Sequence, residues 1–244
     1  MPKPKIEEKI YCIYQREWEI LMAMAGIENC FGLVFQEEQQ EKDDVMYITA
    51  TEKNETKVEG QQKKEDMIHT LHRMVRKGML RIDNERLKIA PDYKVWLENV
   101  KQAKRAFHFM QRQEEGWEQG FAYMGETVVV FSCSKTRKQA FDVRGIEKEK
   151  WINFLLDTGL FPSYRTECDC KVAEDMSMPH TKSHQLIFVK NITTIVAEID
   201  MEKKQEIGWV AFCEENGLQF LLRQMETTKK IPYTMENLKC AFQN

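Results

Sequence analysis

Residues 63–100 carry the pattern that most restricts how this chain can fold. Between Lys63 and Lys77, apolar residues recur at the three-and-four spacing of an amphipathic helix. Gly78 follows a basic last turn, which is typical of a helix C-terminus. The runs Met79–Ile82 and Arg86–Ile89 then flank three residues that tolerate a tight turn. The stretch therefore predicts a helix followed closely by a β-hairpin.

Capping residues predict helices elsewhere in the chain by the same reasoning. Pro91 suits the first turn of a helix that continues to about Val100. Gly26 and Gly159 each end an apolar, Trp-containing segment. The further helices predicted are Arg16–Ala25, Glu147–Thr158 and a short Thr234–Phe242.

Short β-rich runs separated by turn residues make up most of the remaining sequence. Gly125–Glu126 fits a tight hairpin between two of these runs. The predicted strands are Lys5–Gln15 (strand or extended lead-in), Cys30–Phe35, Val45–Thr51, Arg105–Gln111, Phe121–Met124, Thr127–Ser132, Lys138–Arg144, Gln185–Lys190, Thr194–Met201, Ile207–Phe212 and Leu218–Met225. Predicted loops are Gln36–Asp44, Glu52–Glu65 and the irregular Phe161–His184. The pattern indicates a single α+β domain over 1–244, with mostly antiparallel sheet flanked by helices.

Two segments of the sequence resemble each other. Trp18 precedes Gly26 by the same interval as Trp151 precedes Gly159, and an aliphatic residue follows each glycine. This similarity suggests a duplication with pseudo-repeats at about 5–144 and 145–244, which would form two quasi-symmetric halves. The alternative is that any Trp-anchored helix with a glycine cap has this appearance.

Charge and cysteine content bear on the binding partners and the cellular location of the protein. The net charge is −3, but 13 Lys/Arg face six Asp/Glu between 63 and 112. This local excess could bind nucleic acid or an acidic protein, or could be a solvated helical face. The seven cysteines are an odd number and lie mostly in apolar runs, which favours reduced core thiols. The N-terminus lacks the apolar region of a signal peptide, so we expect a soluble cytoplasmic protein.

No group of residues forms a recognisable catalytic or cofactor motif. The sequence contains no glycine-rich phosphate loop and no nucleophile elbow, so we assign no catalytic or cofactor-binding residue and expect no enzyme. His69 and His72 are close enough to share a metal ion but lack a third ligand. Cys168, Cys170, His180 and His184 carry suitable zinc donors, yet their Cys-x-Cys spacing is unusual for structural zinc and fits a loop with incidental thiols. No metal site is therefore predicted.

A winged helix is one alternative for the basic stretch. Helix 63–77 would read DNA and hairpin 79–89 would form the wing. The basic side chains His69, His72, Arg73, Arg76 and Lys77 would then contact phosphates and base edges. The polar tracts and the strand-like run upstream replace the two helices that normally precede a reading helix.

The order of elements resembles the EspG-type chaperones of ESX (type VII) secretion systems. The resemblance spans residues 15–160 and is one of helices, caps and hydrophobic positions. It comprises the helix with Trp18 and Leu21, the strand Cys30–Phe35, the run Met74-Val75-Arg76-Lys77-Gly78-Met79-Leu80, the helix start Ala90-Pro91 with Val95-Trp96-Leu97, the run Gly125-Glu126-Thr127-Val128-Val129-Val130, and the helix Trp151–Leu160. The polar tracts Gln36–Asp44 and Glu52–Glu65 and the high Lys and Met content depart from the family.

The resemblance implies a non-catalytic cytosolic protein that binds helical secretion substrates and keeps them soluble. It implies a mixed α/β fold of two quasi-symmetric halves, and it transfers no binding residue to this chain. The fourteen methionines could re-pack around varied partners, although filling a core is their other common use.

Overall fold

The computed structural model describes residues 10–27, 57–114, 116–162, 174–176, 181–224 and 227–242. Over these residues the fold is α+β with a large antiparallel sheet, as the sequence predicts. The helices are α1 (Gln15–Ala25), α2 (Lys57–Arg76), α3 (Pro91–Gln102), α4 (Trp151–Asp157) and α5 (Met235–Phe242). The strands are β1 (Tyr11–Tyr14), β2 (Leu80–Asp83), β3 (Arg86–Ile89), β4 (Arg105–Gln113), β5 (Gly116–Met124), β6 (Val128–Cys133), β7 (Ala140–Ile146), β8 (Glu174–Met176), β9 (Ile192–Asp200), β10 (Gln205–Glu215), β11 (Leu218–Gln224) and β12 (Thr228–Pro232).

Ten of the described strands form one sheet, and β2 and β3 form a separate hairpin. The strand order is β1-β7-β6-β5-β4-β9-β10-β11-β12-β8, with every neighbouring pair antiparallel. Four consecutive strands run outward from the centre of the sheet in each direction, β4 to β7 on one side and β9 to β12 on the other. An earlier strand, β1 or β8, then forms each edge. Meanders of this kind need only short connections, and those within these two meanders are two to six residues long.

Side chains alternate between the two faces of the sheet, and helices cover each face differently. On the front face, α1, α2 and α3 cover the N-terminal half, and a 3₁₀ segment (Ser183–Phe188) covers the C-terminal half. On the back face, α4 and α5 pack side by side across the centre. Within β4, Ala106 and Met110 lie on the front, and Phe107 and Phe109 lie on the back.

The strand order gives the two halves of the sheet the same topology. Strands β4 and β9 are antiparallel neighbours, so a two-fold rotation that relates the two halves has its axis normal to the sheet. Such a rotation maps the front face of one half onto the front face of the other. Helices α4 and α5 satisfy this relation, because both follow a four-stranded meander on the back face. Trp18 of α1 lies on the front and Trp151 of α4 on the back, so the two Trp segments are not equivalent under this rotation. The pseudo-repeats 5–144 and 145–244 remain a prediction.

The helix–hairpin–helix prediction for 63–100 is confirmed in detail. Gly78 adopts φ 71° after α2, and its N–H donates to Val75 O at 3.0 Å. The N–H of Met79 donates to Met74 O at 2.9 Å, so the helix ends in a Schellman motif. Asn84 and Glu85 both have positive φ, as a two-residue hairpin turn requires.

Four predictions of local structure were wrong. Helix α2 begins at Lys57, inside the predicted loop Glu52–Glu65, because its Gln, Lys and Glu residues favour helix and one glycine costs only about 1 kcal/mol. The predicted strand Gln185–Lys190 is largely the 3₁₀ segment, which tertiary contacts hold. Strands β8 and β12 were missed because β8 is short and β12 is lysine-rich. The predictions for Cys30–Phe35, Gln36–Asp44 and Val45–Thr51 lie outside the described residues.

Candidate protein-binding surface

An aromatic cluster fixes the front helices to the sheet. Trp18 of α1 stacks on Trp96 of α3, with ring centroids 5.5 Å apart. Both indoles meet Phe131 of β6, and Trp18 makes the closer contact at 4.6 Å. Large buried aromatic surfaces of this kind stabilise the packing of the layer, so the helices that carry them have defined positions.

A buried carboxylate joins α1 to the end of α2. Glu17 is fully buried and accepts hydrogen bonds from Arg73 Nε at 2.7 Å and from Lys77 Nζ at 2.8 Å. Its other contact is the backbone N–H of Tyr14 at 3.0 Å, and both cations lie over the Tyr14 ring. Because a buried carboxylate must be paired, this cluster fixes the angle at which α2 leaves the layer.

The ion cluster bears on the winged-helix alternative. Arg73 and Lys77 are candidate DNA contacts, but both form ion pairs with the buried carboxylate of Glu17, and their side chains are 46% and 26% exposed. Arg76, His69 and His72 are exposed on α2. Of the two arginines near the end of the predicted reading helix, Arg76 is therefore the one that has no carboxylate partner within the described residues.

The β2–β3 hairpin has one apolar face along its whole length. Leu80 pairs with Ile89 at the base and packs in the front core, where it is 2% exposed. The next pair on the same face is Ile82 and Leu87, which are 68% and 38% exposed. The apolar surface of the core thus continues into solvent on a preformed ribbon.

Unpaired arginines surround this hairpin. Lys88 forms an ion pair with Asp83 at 2.6 Å. Within the described part of the chain, no carboxylate forms an ion pair with Arg76, Arg81 or Arg86. The site therefore combines exposed aliphatic side chains with free positive charge.

Another exposed apolar side chain, Phe188, lies on the 3₁₀ segment, away from the hairpin. Phe188 is 82% exposed, whereas Leu186 two residues earlier is fully buried in the sheet cluster. Arg112 of β4 donates to the carbonyls of Ile187 at 3.0 Å, Val189 at 3.0 Å and Lys190 at 2.8 Å. Its guanidinium also lies over Trp117, 5.0 Å from the ring centroid. These bonds hold the backbone on both sides of Phe188.

The other end of the 3₁₀ segment is also bonded to the sheet. The backbone N–H and hydroxyl of Ser183 donate to the two carboxylate oxygens of Glu206 at 3.0 and 2.5 Å. Trp209 Nε1 donates to the carbonyl of Thr181 at 2.7 Å. The segment is therefore held at each end, and Phe188 is displayed on an element with little freedom left to lose.

The histidines and cysteines considered as metal ligands do not gather in the described structure. His184 is exposed on the 3₁₀ segment, and Cys168, Cys170 and His180 lie outside the described residues. Among the residues that the structure covers, no three His, Cys, Asp or Glu side chains form a group that could hold a metal ion.

One histidine and two thiols have shifted pKa values. Burial lowers the pKa of His108 to about 4, although the hydrogen bond that its ring N–H donates to Gln119 Oε1 opposes this shift. The His108 ring stacks on Phe121 at 4.5 Å, with Nε2 3.1 Å from Gln119 Oε1. Burial raises the thiol pKa of Cys133, and that of Cys213 to about 11. Both thiols are therefore protonated at neutral pH, which is the poorly nucleophilic form.

A recess on the back face has a volume of about 190 Å³. Its apolar wall includes Phe107 and Phe242, and its polar groups include Glu198 and Arg223. Glu198 is already paired with Arg105 Nε at 2.5 Å. The recess is smaller than the roughly 300–1,000 Å³ of typical ligand pockets, so the exposed front-face residues are the better candidate for function.

Sequence reasoning missed the residues that build this surface. Glu17 accepts the N–H of Tyr14 three residues earlier, as the acid of a capping box does, but the tyrosine at the N-cap position hides this pattern in the sequence. Arg112 has no local signal, because its carbonyl partners lie 75 to 78 residues away. Of the two uses considered for the methionines, Met74, Met79 and Met110 fill the core, whereas Met24 is 39% exposed at the surface.

Among the described residues, no helix combines the length and the apolarity needed to cross a membrane. The chain matches no family model and no curated protein.

Proposed function

We propose that this protein is a cytoplasmic, non-catalytic protein-binding module, similar to the chaperones that hold helical substrates of type VII secretion. The observation that carries the proposal is the display of Phe188, an 82% exposed aromatic side chain on a segment bonded at both ends to the sheet. Protein interfaces are anchored by a few aromatic and arginine side chains of this kind.

Preorganisation strengthens this interpretation. An exposed aromatic ring on a loose loop must lose conformational entropy on binding, at a cost of about 0.5–1.5 kcal/mol per ordered side chain. Because Arg112 and Glu206 already fix the backbone around Phe188, a partner gains the apolar contact at a reduced entropic cost. The order of elements supports a helical secretion substrate as the partner, through the resemblance to EspG-type chaperones.

Affinity purification of the full chain from its native host tests the proposal. We expect the wild-type chain to recover secreted proteins that form helical hairpins, and Phe188→Ala to reduce their recovery about tenfold. Ile207→Ala is the matched control, because Ile207 is 44% exposed near the end of β10 that is opposite to Phe188 and should not alter recovery. Both variants should keep the wild-type unfolding midpoint, since neither side chain is buried.

Two results would overturn the proposal. One is recovery of duplex DNA in place of any helical secreted protein, with a strong salt dependence of binding, which is the behaviour of a winged-helix regulator. The other is equal recovery of the same proteins by wild type and Phe188→Ala.

A further inference from the structure

The inner face of the β2–β3 hairpin has the geometry of a helix-binding ridge. Ile82 and Leu87 are directly opposite each other in the ladder, so their Cβ atoms are about 5 Å apart. Side chains at positions i and i+4 of a helix are about 5–6 Å apart. The exposed aliphatic pair therefore matches the spacing of an apolar helix ridge.

The hairpin is held in place before any partner binds. The N–H of Ala90 donates to Met79 O at 2.9 Å and closes its base, and Leu80 is buried in the front core. Lys88 and Asp83 form an ion pair across the strands. The aliphatic pair thus sits on a ribbon whose position is fixed by the core, as a binding site requires.

The charge around the hairpin selects the partner. Residues 76–88 contain five cations against two anions, and Lys77 and Lys88 already have carboxylate partners. Arg76, Arg81 and Arg86 keep a positive field within a Debye length of the aliphatic pair, although Arg81 and Arg86 point to the other face of the ribbon. This field favours an acidic partner and disfavours a second copy, whose own arginines would be brought against these.

Nucleic acid fits this surface less well than a protein does. Ile82 and Leu87 would gain nothing from phosphates, and burying them against a charged backbone would leave that backbone poorly solvated. Arg73 and Lys77, which a DNA-reading helix would use, are held by Glu17.

We propose that the hairpin binds an acidic amphipathic helix, with aliphatic side chains packed on Ile82 and Leu87 and carboxylates drawn by the field of Arg76, Arg81 and Arg86. This inference rests on the proposed protein-binding function and specifies the chemistry of the client. It corresponds to helix-in-groove recognition, in which the apolar ridge gives affinity and the charge gives association rate and selectivity.

Two synthetic peptides test the inference against the full-length chain. Both are 18-residue helices with the same leucine stripe, one with glutamate and one with lysine on the polar face. Fluorescence anisotropy should show the glutamate peptide binding at least about tenfold tighter in low salt, with the difference shrinking as salt rises. Equal affinity for the two peptides, or tighter binding of the lysine peptide, would overturn the charge assignment.

Variants separate the aliphatic contact from the charge. The double variant Ile82→Ser/Leu87→Ser should weaken the glutamate peptide about tenfold or more, because it removes the apolar contact. The double variant Arg81→Glu/Arg86→Glu should reverse the peptide preference and lower the association rate. Ile207→Ser and Lys148→Glu are matched controls away from the hairpin, and an effect from them equal to that of the hairpin variants would refute the site.

A photocrosslinking experiment distinguishes failure of the hairpin site from failure of the proposed protein-binding function. A photoreactive residue at Ile82 should capture an acidic helical segment from the native host, and one at Ile207 should not. Capture of helical secreted proteins through Phe188 alone would overturn the hairpin site and leave the proposed function intact. Binding of labelled duplex DNA that is lost in Arg81→Glu/Arg86→Glu would overturn both.

Discussion

Glu17 of α1 and Lys77, which directly follows α2, form an ion pair at 2.8 Å although they are 60 residues apart in the chain. The carboxylate is fully buried, whereas the lysine side chain is 26% exposed. The pair lies at the junction of α1 with the end of α2, where the chain turns into the β2–β3 hairpin. The orientation of the candidate hairpin site therefore depends on one internal acid.

We expect Glu17→Gln to lower the free energy of unfolding by about 2–4 kcal/mol, because it leaves Arg73 and Lys77 without their shared partner. A double-mutant cycle with Lys77→Met should give a coupling of about 1–3 kcal/mol in urea denaturation. The exposed pair Arg16–Glu19 is the control, and its removal should cost less than about 1 kcal/mol. Additive effects of Glu17→Gln and Lys77→Met would contradict the pairing.

His108 should make the protein less stable in mild acid. Its pKa is about 4 when folded, below the value of about 6.5 expected for the unfolded chain. Between pH 6.5 and 4 the unfolded state takes up a proton that the folded state does not bind, so stability is full above this window and falls as the pH drops through it. We expect a loss of about 1–3 kcal/mol, since the ring is partly exposed on one side.

The measurement for His108 is the unfolding free energy at pH 7 and pH 4.5. His108→Phe keeps a ring on Phe121 and should flatten the difference between the two pH values relative to wild type. His184→Gln changes an exposed histidine and should leave the difference as it is. A wild-type pH profile in His108→Phe would show that another group is responsible.

Gly120 has no room for a side chain. Its cross-strand partner is Phe109, whose ring lies over the glycine, and an added Cβ would also come within 2.5 Å of the Phe131 carbonyl oxygen. We expect Gly120→Ala to destabilise the protein by about 1–3 kcal/mol, measured by thermal unfolding. Combining it with Phe109→Leu should recover part of that cost relative to the sum of the single changes, and strict additivity would argue against the ring contact.

Arg112 should control the order of the 3₁₀ segment. Arg112→Lys keeps the charge but loses the fork that reaches three carbonyl groups, so we expect amide exchange around 183–192 to speed up about tenfold. Arg144→Lys is the control, because Arg144 lies over Phe154 on the back face, 5.3 Å from the ring centroid. Unchanged exchange in Arg112→Lys would mean that the segment is held by Ser183 and the core alone.

The sequence predicted well the elements that local chemistry specifies. The Schellman end at Gly78 and the Asn84–Glu85 turn are decided by residues within a few positions, so pattern alone located them. The apolar run of the 3₁₀ segment predicts a strand, whereas the segment is held against the sheet by side chains far away in the chain, Arg112 at its C-terminal end and Glu206 at its N-terminal end. Local patterns report local energies and do not report such distant partners.

By itself the sequence determined the fold class, most helix and strand positions and the excess of basic residues between 63 and 112. The tertiary structure alone decided which of those charges are free. Arg73 and Lys77 lie on the side of the α2 C-terminus that meets Glu17, whereas Arg76 forms no ion pair with it. A buried carboxylate must be paired with cations. The packing of the aromatic core sets the position of Glu17, and that position determines which cations it pairs with and which remain available for a ligand.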